Sequence, residues 1–159
     1  MTAFSHNCGY KVWVYRFANI VGGHTTHGAI HDFIVRLKKD PTALKVLGNG
    51  TQRKSYLHVS DCVEGMIYGY NKSKEDFQFF NLASEGVTQV KFIAETVVKE
   101  INKGSQIEYG KEDRGWVGDV AYTWLDGSKY AKLGWKAKYN SDEAVVQAVK
   151  DILKEARWH

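Results

Sequence analysis

Gly48-Asn49-Gly50-Thr51-Gln52-Arg53-Lys54-Ser55-Tyr56-Leu57-His58-Val59-Ser60-Asp61 runs from a glycine turn through a basic pair and a short strand to a helix start. Two glycines in a turn let the backbone come close to another group without Cβ hindrance. Two cations follow at once, and they suit a phosphate or a carboxylate. The stretch therefore predicts one wall of an anion-binding cleft with a nucleotide-like ligand. Ser60 or Asp61 is expected to cap the helix that follows, with Val63, Met66, Ile67 and Tyr70 as its buried stripe.

The elements on either side of this stretch alternate between strand and helix, which predicts an α/β fold. Upstream, residues 2–8 read as the end of a helix stopped by Gly9. Lys11 to Phe17 is rich in β-branched and aromatic residues and reads as a strand buried on both faces, ended by Gly22-Gly23. Ala29 to Lys39 carries Ile30, Phe33, Ile34 and Leu37 at helical spacing, and Asp40-Pro41 closes it. Lys45-Val46-Leu47 reads as a strand. Downstream, Phe79 to Ala83 and Ile107 to Tyr109 are further strands. Thr88 is expected to cap a helix with Val90, Ile93, Val97 and Ile101 on one face. A polar glycine-rich loop spans Gly110 to Asp119, and a short helix ends near Leu133-Gly134-Trp135. A last helix starts at Ser141, with Val145, Val149, Ile152 and Leu153 inward.

The chain has 159 residues, enough for one buried core. With 43% apolar and 25% charged residues it is globular rather than disordered. The net charge of +4 comes without blocks of like charge, so no nucleic-acid footprint is expected. No apolar run reaches the length of a membrane span, and no signal peptide is visible, which sets the cytoplasm as the expected location. The two cysteines, Cys8 and Cys62, could close one disulfide; isolated cysteines are more often reduced and buried.

Arg16-Phe17-Ala18-Asn19-Ile20-Val21-Gly22 sets a polar amide just beyond a strand, where ligands sit in open α/β sheets. Asn19 can donate to a phosphate and accept from a sugar, or it can simply cap the turn. Arg16-Phe17-x-Asn19-x-x-Gly22 resembles a motif of the extended short-chain dehydrogenase/reductases, the NAD-dependent nucleotide-sugar epimerase/dehydratase family of UDP-glucose 4-epimerase-like enzymes. Three more blocks match that family in order and spacing: Gly48 to Asp61, Phe80-Asn81-Leu82-Ala83, and Gly118-Asp119-Val120 followed by Leu125-Asp126-x-Ser128-Lys129 and Leu133-Gly134-Trp135.

The resemblance covers nearly the whole chain but only the later part of the family's pattern. It implies the last part of a Rossmann-type parallel sheet, residues 1–24, joined to a small α/β nucleotide-sugar-binding region, residues 25–159. It places the family's glycine fingerprint and its Tyr-x-x-x-Lys acid–base pair upstream of Met1, so no catalytic residue is assigned and this chain alone is expected to be inert. In the full enzyme the implied chemistry is interconversion of UDP-sugars by transient oxidation at C4. Hydride passes to NAD and returns to the opposite face. The alternative from another class is a non-catalytic module binding a nucleotide or a protein in the same cleft. The implied partners are a UDP-sugar, the N-terminal Rossmann part and a second copy in a homodimer.

By the same resemblance, Asn19 stands at the diphosphate, and Lys54 holds a column usually occupied by arginine. Lysine offers a point charge where arginine offers a fork. Arg53 is the neighbour that could take that role, but in a strand the two point to opposite faces, so only one is expected to reach the ligand. Tyr56 shares the face of Lys54. Lys45, Val46 and Leu47 run past the base, Arg114 clamps a phosphate and Asp119 meets the ribose hydroxyls. The loop from Arg114 to Asp119 is two residues longer than the family's Arg-x-Gly-Asp. Phe17 and Ala18 face the nicotinamide of NAD, which this chain alone is not expected to hold tightly.

Other candidates carry plainer readings. His24, His27 and His31 have a spacing that zinc sites use, but Asp32 is expected to point elsewhere on its helix, and no metal is assigned. His58 reads as structural. Trp116, Trp124 and Trp135 suggest a sugar-stacking platform, with Trp135 in Leu-Gly-Trp read as core packing.

Overall fold

The computed structural model describes residues 2–155. In chain order, α1 (Thr2–Cys8) leads into β1 (Val12–Phe17) and β2 (Asn19–Val21), then α2 (Ala29–Lys39) and β3 (Ala43–Val46). The opening stretch forms β4 (Arg53–Lys54) and β5 (Tyr56–His58), and α3 (Val59–Lys72) follows. The rest is β6 (Phe77–Leu82), β7 (Thr88–Gln89), α4 (Val90–Ile101), β8 (Gln106–Tyr109), β9 (Tyr122–Thr123), α5 (Ser128–Ala131) and α6 (Ser141–Glu155). The mixed α/β fold read from the sequence is present, and Gly9 ends α1 at φ 66° as its position predicts.

Parallel pairing dominates. β1 runs beside β6 from Val12–Phe77 to Phe17–Leu82. β2 runs beside β5, setting Asn19 against Tyr56, and β3 runs beside β8. β4 lies between β7, antiparallel, and β9, parallel. β5 joins two cores because its side chains alternate between faces. Tyr56 enters a core built from the α2 stripe, Leu44, Val46, and the inner faces of α4 and α6. Leu57 enters the other, with Cys62, Phe80, Leu82, Tyr130 and Trp135.

β1 departs from the expected strand buried on both faces. Its burial is intermediate over Val12–Tyr15, and Arg16 and Phe17 are exposed. Among the described residues β6 is its one strand neighbour, so its far edge is uncovered.

The helix α3 is turned from its predicted orientation: of the expected stripe Met66 packs against the core, and the other three residues do not face it. Asp61, Cys62, Gly65 and Gly69 face inward, while Val63, Ile67 and Tyr70 are 46%, 57% and 63% exposed. The cause is the size of what lies beneath. A Cβ at Gly65 would stand 2.8 Å from Leu82 Cδ1 and 3.0 Å from the Trp135 ring, and one at Gly69 would collide with the hydroxyls of Tyr15 and Tyr130. Only a glycine face lets this helix approach the aromatic layer.

Two caps also differ. His58, not Ser60 or Asp61, is the N-cap of α3, its Nδ1 accepting from the Ser60 amide at 3.3 Å. Asp61 is buried and accepts from the Tyr139 amide at 3.1 Å. Thr88 lies in β7, and Gln89 precedes α4 without a side-chain cap. The Thr88 hydroxyl instead meets Ser141 Oγ and Asp142 Oδ1, both at 2.7 Å, at the start of α6. Cys62 is buried, but Cys8 is exposed, and both are free thiols. No helix among the described residues is long and apolar enough to cross a membrane.

Candidate functional site

A cleft of about 590 Å³ opens between β2, α2 and the loop before β9. Its walls come from distant parts of the chain. Pairing of β2 with β5 brings Ala18 and Asn19 beside Tyr56. The alternation of β4 sends Lys54 into the cleft and leaves Arg53 outside and exposed, so one of the basic pair reaches it, as strand geometry predicts. The glycine turn itself does not line the cleft. Its close approach is to protein: a Cβ at Gly48 would lie 2.7 Å from the Arg114 carbonyl, and one at Gly50 2.8 Å from the Tyr109 ring. The turn therefore positions the 110–119 loop rather than a ligand.

Lys54 and Asp119 form the charged centre of the cleft. Lys54 Nζ lies 2.8 Å from Asp119 Oδ1, with their side chains 22% and 3% exposed. Asp119 Oδ2 accepts from the Gly115 amide at 3.0 Å. Burial pushes the Asp119 carboxyl towards a higher pKa, but the hydrogen bonds from Lys54 and Gly115 and the lysine charge outweigh it, and the net direction is down. Tyr56 moves the other way, to about 12, first through burial and then through the nearby Asp119 charge. It stays a neutral phenol able to donate. Asn19 Nδ2 donates to the Ser55 carbonyl at 3.0 Å. The residue thus ties β2 to the β4–β5 segment instead of capping its own turn, and it also stands in the lining.

Other sequence candidates are dispersed. Leu47 lines the cleft and is 52% exposed, but β3 ends at Val46, which is buried in the core. Lys45 is exposed and uses its carbonyl to accept from Arg36 Nη1 at 2.7 Å. Arg114 is exposed and outside the lining. Ala18 lines the cleft, whereas Phe17 is 46% exposed outside it and stacks on Tyr15.

Several lining residues escaped the sequence reading. Asp32, Phe33 and Arg36 follow one another along α2, a spacing that places them on one strip. That strip was legible as the border of the apolar face. Gln52 is buried in the wall with its Oε1 unpartnered. Trp116, which the sequence suggests as part of a stacking platform, stands at the rim, and Lys54 Nζ is 5.4 Å from its ring centroid. His31 Nδ1 lies 3.6 Å from Asp32 Oδ1, so that acid does not point elsewhere as expected. Among the described residues no group of three or more His, Cys, Asp or Glu side chains is placed to hold a metal. Trp135 is core, and Trp124 borders a separate hollow.

The Tyr-x-x-x-Lys spacing also occurs within the chain. Tyr68 and Lys72, and Tyr70 and Lys74, stand four apart. Neither pair lines the cleft. The Tyr68 hydroxyl donates to the Leu133 carbonyl at 2.8 Å, and Tyr70 packs on Trp13.

Residues 1–83, just over half of the chain, match the NAD dependent epimerase/dehydratase family. The chain belongs to this family. It is similar to a solved UDP-galactose 4-epimerase at a TM-score of 0.82 and 32% identity, over 96% of this chain and 49% of that one. A UDP-glucuronic acid 4-epimerase from Bacillus cereus, solved with UDP-4-deoxy-4-fluoro-glucuronic acid and NAD, shares the fold at a TM-score of 0.76 and 18% identity, over 97% of this chain and 49% of that one. Among curated proteins, the dTDP-D-glucose 4,6-dehydratase of Mus musculus is 24% identical over 151 residues, covering 88% of this chain and 40% of its own. The chain thus spans about half the length of these relatives or less.

NAD belongs to the family, and the two residues expected near it are placed differently. Ala18 offers one small side chain at the cleft and Phe17 lies outside it. No glycine fingerprint of the dinucleotide kind occurs in the sequence.

Proposed function

We propose that this chain is the substrate-binding C-terminal part of an NAD-dependent nucleotide-sugar epimerase or dehydratase, and that its cleft takes the nucleoside diphosphate of a UDP-sugar. The observation that carries this reading is the convergence of Asn19, Lys54, Tyr56 and Asp119, from separate sequence blocks, on one cleft. Lys54 supplies the positive charge, the neutral Tyr56 phenol a donor, and Asn19 an amide. Asp119 accepts from a ribose hydroxyl while it holds Lys54 in place. The sugar would extend towards Ala18, where the N-terminal Rossmann part would present NAD and the acid–base pair. NAD supplies hydride transfer when bound there, and no residue of this chain takes part in that chemistry.

The same reading assigns residues 1–24 to the end of the Rossmann-like domain and residues 25–159 to the nucleotide-sugar region. It places the protein in the cytoplasm as a homodimer. The edge of β1 that lacks a strand partner among the described residues supports continuation of the sheet by the N-terminal Rossmann part on that side.

Calorimetric titration of the chain with UDP-glucose, UDP-galactose and dTDP-glucose tests the proposal. Binding to at least one is expected, and Lys54→Ala should weaken it about tenfold, in line with loss of a charge-assisted hydrogen bond. Arg53→Ala should leave it unchanged. Failure of every nucleotide sugar to bind would refute the reading.

A further inference from the structure

Trp116 is 62% exposed, and the backbone that carries it is tied into the cleft wall. Its carbonyl accepts from the Asp119 amide at 3.0 Å, the preceding Gly115 amide donates to Asp119 Oδ2, and Lys54 Nζ lies 5.4 Å from the indole centroid. The loop also rests on the strand end beside it, since a Cβ at Gly115 would lie 3.6 Å from Leu47 Cβ. The rim of the cleft thus holds a flat aromatic face beside the partly buried Lys54–Asp119 ion pair, on a loop that rests against the exposed Leu47. A large indole held open to water beside a cation suits a ligand that is flat at one end and anionic at the other.

We propose that Trp116 is the platform on which the nucleobase of a nucleoside diphosphate stacks, with Leu47 flanking it and Lys54 next to the phosphates. This rests on the nucleotide-sugar reading of the cleft and adds the residue that holds the base. Lys54 has two functions in this arrangement. It faces the anion, and it keeps the loop that carries Trp116 attached to β4 through Asp119.

The test is binding of UDP and of UDP-glucose to the wild-type chain, Trp116→Leu and Trp116→Phe, with thermal unfolding to confirm that all three fold. Removing a stacked aromatic should weaken both ligands by about fivefold or more in Trp116→Leu. Trp116→Phe should retain most of the affinity, because a ring remains. UDP should quench indole fluorescence in the wild type and lose most of that quenching in Trp116→Leu. If Trp116→Leu binds UDP as the wild type does, the platform is refuted while the nucleotide cleft stands. If it weakens UDP-glucose alone, the indole serves the sugar and the assignment to the base is overturned. If the wild type binds neither ligand, the nucleotide-sugar reading fails and this inference fails with it.

Discussion

Lys54 on β4 and Asp119 at the end of the long polar loop meet at 2.8 Å in the wall of the cleft, although 65 residues separate them. The pair makes stability depend on acid. The folded pKa of Asp119 lies below its ordinary value of 3.8. A depressed carboxyl contributes stability that is complete above the unfolded value and is lost as pH falls through the folded one. Asp119→Asn should therefore cost about 1–3 kcal/mol at pH 7, because Lys54 loses its partner. Urea unfolding should show that gap shrinking towards pH 3. An equal gap at both pH values would mean that the ion pair adds nothing.

The turn at Gly48 predicts a second effect on the same loop. Gly48 has φ 75°, and a Cβ there would meet the Arg114 carbonyl. Gly48→Ala combines left-handed strain of about 1–3 kcal/mol with a backbone clash. Gly118→Ala is the control: its φ is 90°, but a Cβ there would meet nothing within 4 Å. The melting temperature should fall further for Gly48→Ala than for Gly118→Ala. Equal losses would leave conformational strain as the whole effect and remove the packing role.

The parts of the fold visible in the sequence were those set by local pattern. Ile30, Phe33, Ile34 and Leu37 repeat at helical spacing, and all four are buried. The split of Arg53 from Lys54 followed from strand alternation alone. Long-range packing was the part not visible. Nothing local to Val63 or Ile67 shows that Tyr15, Tyr130 and Trp135 occupy the layer beneath α3 and admit only glycines there. The glycine turn suggests a ligand-facing wall because a close backbone approach looks the same in sequence whichever group comes close. Trp116 stood out only as one of several tryptophans until the fold set it above Lys54.

His58 predicts a purely structural coupling. Its Nε2 lies 2.9 Å from Asp151 Oδ2 on α6, and its Nδ1 lies 2.7 Å from Ser60 Oγ at the start of α3. One buried ring thus joins two helices to β5. His58→Ala should cost about 2 kcal/mol by leaving these partners unpaired and removing the cap. A double-mutant cycle with Asp151→Asn should give a coupling of at least about 0.5 kcal/mol. Titration with UDP-glucose should be unaffected, since His58 is outside the cleft lining. Additive losses in the cycle would dissolve the proposed tie.

The orientation of α3 can be decided by a pair of substitutions with opposite expectations. If the apolar stripe faced inward, Ile67→Ala would open a cavity costing about 2–5 kcal/mol, and Gly65→Ala would stabilise an exposed helix position by up to about 1 kcal/mol. The structure demands the reverse. Ile67 is 57% exposed, so its truncation should change stability by no more than about 0.5 kcal/mol. A Cβ at Gly65 would stand 2.8 Å from Leu82 Cδ1, and Leu82 on β6 is fully buried in the core with Phe80, Tyr130 and Trp135. Gly65→Ala should therefore cost about 1–3 kcal/mol through overpacking, despite the better helix propensity of alanine. Chemical denaturation of the two variants side by side reads the sign directly. A stabilised Gly65→Ala together with a strongly destabilised Ile67→Ala would turn the helix back to the face its sequence pattern suggests.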